Sequence, residues 1–299
     1  MREAVIDIGS NSMRLTVYQV ENSHFKILFK EKIMAGLAGY VEKGSISKKG
    51  IQRACEGLLQ FRQTLTMLDL CERVHVFATA SLRNIVNTDD AVAAIRAATG
   101  FRIDLITGEE EALLGYLGVM CERSVTNGLF ADIGGASTEI VVFSEKTLLF
   151  SRSCPVGSLK LYKDCAEKLL PGNPSTKKMK QAIGAALPRR SFKEFTPQKQ
   201  FLCTGGTARS VLKFAKYLEL VPKDGNVISA KDLKKVGKLL LGDKNSAARA
   251  IAKVDPERIF TIIPGYLILE HIAEQFSVRK IIVCNYGVRE GYLCQKVLP

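Results

Sequence analysis

The chain has 299 residues, 46% of them hydrophobic, with a formal net charge of +13, which is enough apolar material for two cores of ordinary size. No apolar run approaches the roughly 18 to 20 residues that span a bilayer, and the N-terminus MREAVIDIGS enters a strand pattern directly, without a charged-then-apolar leader, so a soluble, cytoplasmic protein with no membrane partner is expected. Eight cysteines and three histidines are scattered without a CxxC or Cys/His cluster, which argues against zinc and suits buried thiols in a reducing compartment.

In chain order, AVIDI, MRLTVYQV and HFKILFK read as three successive strands, the first two joined by the turn GSNS. ISKKGIQRACEGLLQFRQTLTMLDL has the period of a long amphipathic helix, and VHVFATA that of a strand. DDAVAAIRAATG reads as a helix closed at Gly100, FRIDLIT as a strand and EEEALLGYLGVMC as a helix. The scheme restarts near Gly128: LFADI, TEIVVFS and TLLFSRS are strands, and VGSLKLYKDC begins a helical region. PGNPSTKK has loop composition, with the helix TKKMKQAIGAAL after it. Strand KQFLCT meets GGT and the helix ARSVLKFAKYL, a mostly helical stretch runs from Ser229 to Phe276, and strand RKIIVC leads through NYG to a final helix, VREGYLCQKVL. This alternation predicts α/β architecture in two domains, 1–123 and 124–299, facing each other across a cleft, the last helix packing back on the first domain.

Charge is divided unevenly. Residues 1–150 carry 16 basic and 18 acidic side chains, a balance of −2, and residues 151–299 carry 27 and 12, a balance of +15. Such asymmetry suits surface solubility or a polyanionic partner. With no Trp and no nucleic-acid-binding motif, a phosphate polymer or nucleotide is favoured over nucleic acid.

One internal repeat stands out. AVIDIGSNSMRLTVY and LFADIGGASTEIVVF superimpose at an offset of 125, matching Asp7 with Asp132, Ile8 with Ile133, Gly9 with Gly134 and Ser12 with Ser137. Each copy sets an Asp at a strand end and a small-residue turn behind it, Gly9, Ser10, Asn11 and Ser12 in one, Gly134, Gly135, Ala136 and Ser137 in the other. Such turns gather backbone N–H groups around phosphate oxygens. The Asp side chains repel phosphate, so Mg²⁺ or Mn²⁺ is their expected partner. Two loops facing each other would grip one phosphate chain from both sides. Just upstream of the second copy, Glu109, Glu110 and Glu111 begin a helix. The helix dipole favours acidic residues there, which accounts for Glu109 or Glu110, whereas Glu111 is placed to orient and deprotonate a water if it faces the cleft.

DIGSNS, FATASLRN, TGEEEA, DIGGASTE, the TGGT of Thr204 to Thr207, and YGVREG, in this order, resemble the exopolyphosphatase and guanosine pentaphosphate phosphohydrolase family, within the superfamily of actin, sugar kinases and 70-kDa heat-shock chaperones. The resemblance covers Asp7 to Gly291 and implies two ribonuclease-H-like (actin-like) domains around a phosphate site. It implies that Glu111 is the catalytic base, that Asp132 and Glu139 lie at or near the metal, and that the two turns bind phosphate; Asp7 is a candidate metal residue from the repeat alone. It also implies that Arg83 grips phosphate, and that Gly205, Gly206 and Thr207 form an adenosine-side loop, for which a plain strand-to-helix turn is the alternative. Arg289 is placed either at the cleft or on a helix surface. The family's EEAR is here Glu110, Glu111, Ala112, Leu113, and Ala136 replaces a third loop glycine, departures that bear on substrate preference. The chain ends without the HD-type domain of longer relatives and looks like the short form.

The expected activity is Mg²⁺-assisted hydrolysis of terminal phosphate from linear inorganic polyphosphate. The alternatives are hydrolysis of the 5′-terminal phosphate of guanosine pentaphosphate, a kinase-like phosphotransfer, or a non-catalytic polyphosphate or alarmone sensor. A homodimer is compatible with the size, with no interface identified.

Overall fold

The structure, a computed structural model, describes residues 1–22, 24–69, 73–145, 147–196 and 198–298. Three strands open it, β1 (Arg2–Ile8), β2 (Met13–Glu21) and β3 (His24–Ile33), followed by a small hairpin of β4 (Val41–Glu42) and β5 (Ser45–Ile46). Then come α1 (Lys48–Met67), β6 (Val74–Ala78), α2 (Ala80–Arg83), α3 (Thr88–Thr99), β7 (Ile103–Leu105) and α4 (Gly108–Glu122). The second half contains β8 (Asn127–Ile133), β9 (Thr138–Ser144), β10 (Thr147–Cys154), α5 (Ser158–Cys165), α6 (Asn173–Ala186), β11 (Gln200–Thr204) and α7 (Gly205–Tyr217). It continues with β12 (Val227–Ser229), α8 (Ala230–Leu241), α9 (Lys244–Val254), α10 (Ile262–Gln275), β13 (Lys280–Val283) and α11 (Val288–Tyr292).

The two sheets repeat one plan. The first runs β3-β2-β1-β6-β7 and the second β10-β9-β8-β11-β13, with β12 added at the edge. In each, three antiparallel strands are continued by two parallel ones. The first strand of each repeat is therefore central and covered on both faces, which is why it reads as an unbroken apolar run: Val5, Ile6, Phe130 and Ala131 are fully buried.

Three local readings are corrected. PGNPSTKK is not a loop: α6 begins at Asn173 with Pro174 in its first turn, where the missing proline N–H leaves no hydrogen bond unmade. β12 and the β4–β5 hairpin have only three and two residues per strand, too short for alternation to register. The final helix changes pitch, α11 passing into a π turn over Leu293–Val297.

Two helices are exchanged between the sheets. Ala112, Tyr116 and Val119 of α4 pack on Phe130, Val141 and Phe143 of the second sheet. Tyr292 and Leu293 at the end of α11 pack on Val5, Tyr18 and Phe77 of the first. The two helices cross in backbone contact: a methyl group on Gly118 would lie 1.9 Å from the Gly287 carbonyl oxygen, and one on Gly291 1.9 Å from that of Leu114. Around the crossing, Tyr18 donates to Glu290 Oε1 at 2.9 Å, and the Asn285 and Tyr286 amides donate to Glu122 Oε2 at 2.7 and 3.0 Å. Among the described residues no helix is long and apolar enough to cross a membrane. Since rigid backbone rather than a flexible side chain opposes the added methyl, Gly118→Ala is expected to lower the free energy of unfolding by roughly 3 kcal/mol, measured by urea titration.

Candidate active site

The two repeated hairpins meet. A methyl group on Gly135 would stand 3.2 Å from both the Asn11 nitrogen and its Cβ, and 3.3 Å from Ser10 Cβ, so the turns are in contact across the cleft. Both are held from outside by their carbonyls. Those of Ser10 and Asn11 accept from Ala38 and Gly36 at 3.0 and 2.9 Å, and those of Gly134 and Gly135 accept from Ser158 and Leu159 at 2.9 Å. In a trans peptide the N–H of the next residue points the opposite way, so the amides of Asn11, Ser12, Gly135 and Ala136 are turned inward. Between the turns lies a cavity of about 90 Å³, room for several waters or one phosphoryl group. Asn11 Nδ2, also in its wall, is buried without a hydrogen-bond partner.

The hairpins share a frame but not its charge. Across the first, Asp7 faces Arg14 in register; across the second, at the same offset, Asp132 faces Glu139. One hairpin thus brings a carboxylate and a guanidinium, the other two carboxylates. Glu139 is 1% exposed and accepts from Ser153 Oγ at 2.7 Å; burial and the neighbouring Asp132 push its carboxyl up to about 7. Burial likewise raises Asp7 and Asp132 above the ordinary carboxylate range.

Glu111 joins this group from α4. Thr107 caps the helix, its hydroxyl accepting from the Glu110 amide at 3.1 Å while Glu110 Oε2 accepts from the Thr107 amide at 2.8 Å. Glu110 is thereby engaged at the helix end, where Lys296 also reaches it at 3.2 Å. Glu111, about 100° further round the helix, lines the cavity with Asp132 and Glu139. Burial and Glu139 raise its carboxyl well above the usual value. Arg83 does not line the cavity: its Nη1 donates to Glu111 Oε2 at 3.0 Å and to the Ile106 carbonyl at 2.9 Å.

The GGT stretch is the first turn of α7. Gly205 has φ +87°, and a methyl there would lie 2.2 Å from Asp132 Oδ1, so only glycine lets the strand turn beneath that carboxylate. Gly205 and Gly206 line the cavity, whereas the Thr207 hydroxyl is buried against the Ile133 carbonyl at 3.3 Å. Thr204 is the N-cap but makes no side-chain cap; it donates to the Tyr286 carbonyl at 2.8 Å.

Residues 16–299 match the Ppx/GppA phosphatase family. This chain belongs to that family. The family's enzymes are phosphoanhydride hydrolases. Among curated relatives, it is 26% identical to a putative exopolyphosphatase of Haemophilus influenzae, over 97% of this chain and 90% of that protein. It is 27% identical to a guanosine-5′-triphosphate,3′-diphosphate pyrophosphatase of Vibrio cholerae, over 98% of this chain and 59% of that protein. The crystal structure of an exopolyphosphatase from Cytophaga hutchinsonii superposes with a TM-score of 0.85 at 22% identity, covering 98% of this chain and 96% of that one. The Aquifex aeolicus member of the family superposes at 0.77 with 24% identity, covering 100% and 98%. The fold is accordingly actin-like, two domains each of sheet and helices.

In this family member the cavity is also lined by Arg14, Arg209, Arg258 and Arg289. Only Arg289 was a candidate from sequence, and it is 8% exposed at the cleft rather than on a helix surface. Burial and repulsion from Arg209 and Arg289 lower Arg14 to about 9; burial lowers Arg209 and Arg258 too. Arg14 had a legible signal, a cation inside an otherwise apolar strand opposite an Asp. Arg209 and Arg258 had none, since a helical arginine ordinarily faces water. The same four arginines form the inner wall of a second, contiguous groove of about 310 Å³, which continues to Lys30, Lys32 and Lys213.

The site therefore holds both signs of charge, Arg14 facing Asp7 across the first hairpin and Glu139 facing Asp132 across the second. Because the Glu139 carboxyl holds its proton from its ordinary range up to about 7, its ionisation opposes folding, and the cost builds across that interval and is complete above it. In chelator-treated protein, Glu139→Gln is expected to stabilise the fold by about 1–3 kcal/mol at pH 8 and by nothing measurable near pH 4, as followed by melting temperature against pH.

Proposed function

We propose that this protein removes the terminal phosphate from linear inorganic polyphosphate, with Mg²⁺ or Mn²⁺. The observation that carries the reading is one cavity lined by Asp7, Glu111, Asp132 and Glu139 together with Arg14, Arg209, Arg258 and Arg289, and a groove leading from those arginines to Lys30, Lys32 and Lys213. A terminal phosphoryl group fits the cavity and the rest of the chain lies along the groove.

The donor set suits a small hard cation. Asp132 and Glu139 offer paired carboxylates and Asp7 a third from the facing hairpin. Among the described residues no three His, Cys, Asp or Glu side chains are grouped closely enough to cage a metal, so an ion here would take one or two of these carboxylates and complete its shell with water and phosphate oxygens. When bound, it supplies Lewis-acid stabilisation of charge on the phosphoryl oxygens.

The chain's own residues do the rest. The inward amides of both turns and the Asn11 side-chain amide hold the non-bridging oxygens of the terminal group. Glu111 accepts a proton from the water that attacks phosphorus in line, burial and the neighbouring Glu139 raising its proton affinity. Arg83 holds Glu111 in place and is a positioning residue. The four arginines offset charge on the departing polyphosphate, and one displacement suffices without a covalent intermediate.

Polyphosphate is favoured over guanosine pentaphosphate because the groove beyond the arginines is lined by charged and polar side chains with no aromatic ring to receive a base. Phosphate release from short and long polyphosphate and from guanosine pentaphosphate, with and without chelator, tests this. The expected result is chelator-sensitive release that is faster on polyphosphate; faster release from the nucleotide would reassign the substrate. Glu111→Gln is expected to lower kcat by about 10²–10⁴-fold with little change in polyphosphate binding. Binding without turnover in the unaltered protein would instead identify a sensor. Replacing Lys30 and Lys213 together by Ala is expected to leave short-chain hydrolysis intact and to shorten the run of successive cleavages on long chains, visible as intermediate-length products on a gel.

A further inference from the structure

Cys121 lies in the last turn of α4 and Cys294 in the π turn that follows α11. Each sits three residues beyond the glycine at which its helix touches the other, Gly118 and Gly291. One helical turn past a crossing, side chains at that spacing share a face, and here both are thiols. Their sulfurs are 3.6 Å apart, and Cys121 Sγ also donates to the Leu117 carbonyl at 3.3 Å. Cys121 is exposed and Cys294 partly buried, whereas Cys154, Cys203 and Cys284 are buried. Nothing in the hydrolytic site uses this pair.

We propose that Cys121 and Cys294 are an oxidisable dithiol whose disulfide staples the two exchanged helices and restrains the cleft. A shift of about 1.5 Å brings the sulfurs to bonding distance, within reach of side-chain rotation. The hydrogen bond with Cys294 lowers the Cys121 thiol to about 7, which favours the thiolate, the form that reacts. With a hydroperoxide as oxidant, the Cys121 thiolate attacks the peroxide oxygen and the O–O bond breaks. This leaves a sulfenic acid and, from hydrogen peroxide, hydroxide. The Cys294 thiol then displaces the sulfenic oxygen as water, so two thiols and one hydrogen peroxide become one disulfide and two waters. A thiol reductant reverses the change. The cross-link joins positions 173 residues apart, and it ties α4, which carries Glu111, to the helix that carries Arg289.

The test treats the full chain with hydrogen peroxide and maps its peptides without reduction. The expected result is one linked pair containing Cys121 and Cys294, two hydrogens lighter than the separate peptides, with loss of two free thiols per chain. The stapled protein should melt about 5 °C higher, an increase abolished by dithiothreitol. In Cys294→Ser, Cys121 should instead accumulate sulfenic acid trapped by dimedone; Cys121→Ser should show neither product. Absence of the linked pair in protein that keeps its native circular dichroism, or links only between separate chains, would overturn the proposal. Turnover of polyphosphate in the same samples should fall several-fold on oxidation and recover on reduction; unchanged turnover in fully stapled protein would overturn the restraint on the cleft. Only that last measurement depends on the proposed substrate, since mass and melting report the staple whatever the site hydrolyses.

Discussion

The contact of Gly135 with Ser10 and Asn11 is the constraint on which the site depends. Two turns of like geometry, each pinned from outside through its carbonyls, have only their amide edges left to present to the space between them. A glycine at the closest point lets one turn touch the other, and any larger side chain would hold them apart. The cavity is thus defined by backbone, which loses little on ordering a ligand because it is already fixed. The duplication supplies the frame twice, and the exchange of Arg14 for Glu139 at the same seat makes the two copies electrostatically opposite.

That opposition has a cost in the free protein. Several carboxylates and four arginines, some buried and some half-buried, are gathered around one small cavity, and buried charge is tolerated only when paired or ligated. Arg14 and Asp7 partly satisfy each other across β1 and β2, and Arg83 satisfies Glu111. Asp132, Glu139, Arg209 and Arg258 remain shifted away from their ordinary ionisation. The surrounding cores bear this strain: each central strand is sealed in apolar side chains on both faces. A bound cation and a polyanion together would relieve both excesses at once.

The exchanged helices explain how two separate sheets keep the turns in register. α4 leaves the first sheet to cover the second, and α11 leaves the second to cover the first. They meet at Gly118 and Gly291 with no side chain between them. Glu122 at one end of α4 grips the turn before α11, while Glu111 at the other end reaches the cavity. Relative motion of the two domains must therefore pass through this crossing, the same place that brings Cys121 to Cys294.

The architecture was legible because it rests on local patterns repeated along the chain. The apolar run of each first strand, the DIG turns at an offset of 125, and the Thr107–Glu110 capping pair each follow from residues close together in sequence. Asp7, Asp132, Glu111 and Glu139, singled out from the repeat and the resemblance, line one cavity. What local pattern did not carry was the direction of side chains whose neighbours arrive from afar. Arg83 reads as a free guanidinium until Glu111 is placed beside it, and Thr207 reads as part of a binding turn until its hydroxyl meets the Ile133 carbonyl. Arg209 and Arg258 look like ordinary helix-surface cations. By itself, then, the sequence determined the succession of strands and helices along each half, the two turns and the helix that begins with Glu111 in its first turn, since backbone preference and apolar period act over a few residues. Tertiary structure alone decided that Arg209 and Arg258 line the cavity, that α4 covers the second sheet and which two thiols meet, because those depend on how separate elements pack and not on local pattern.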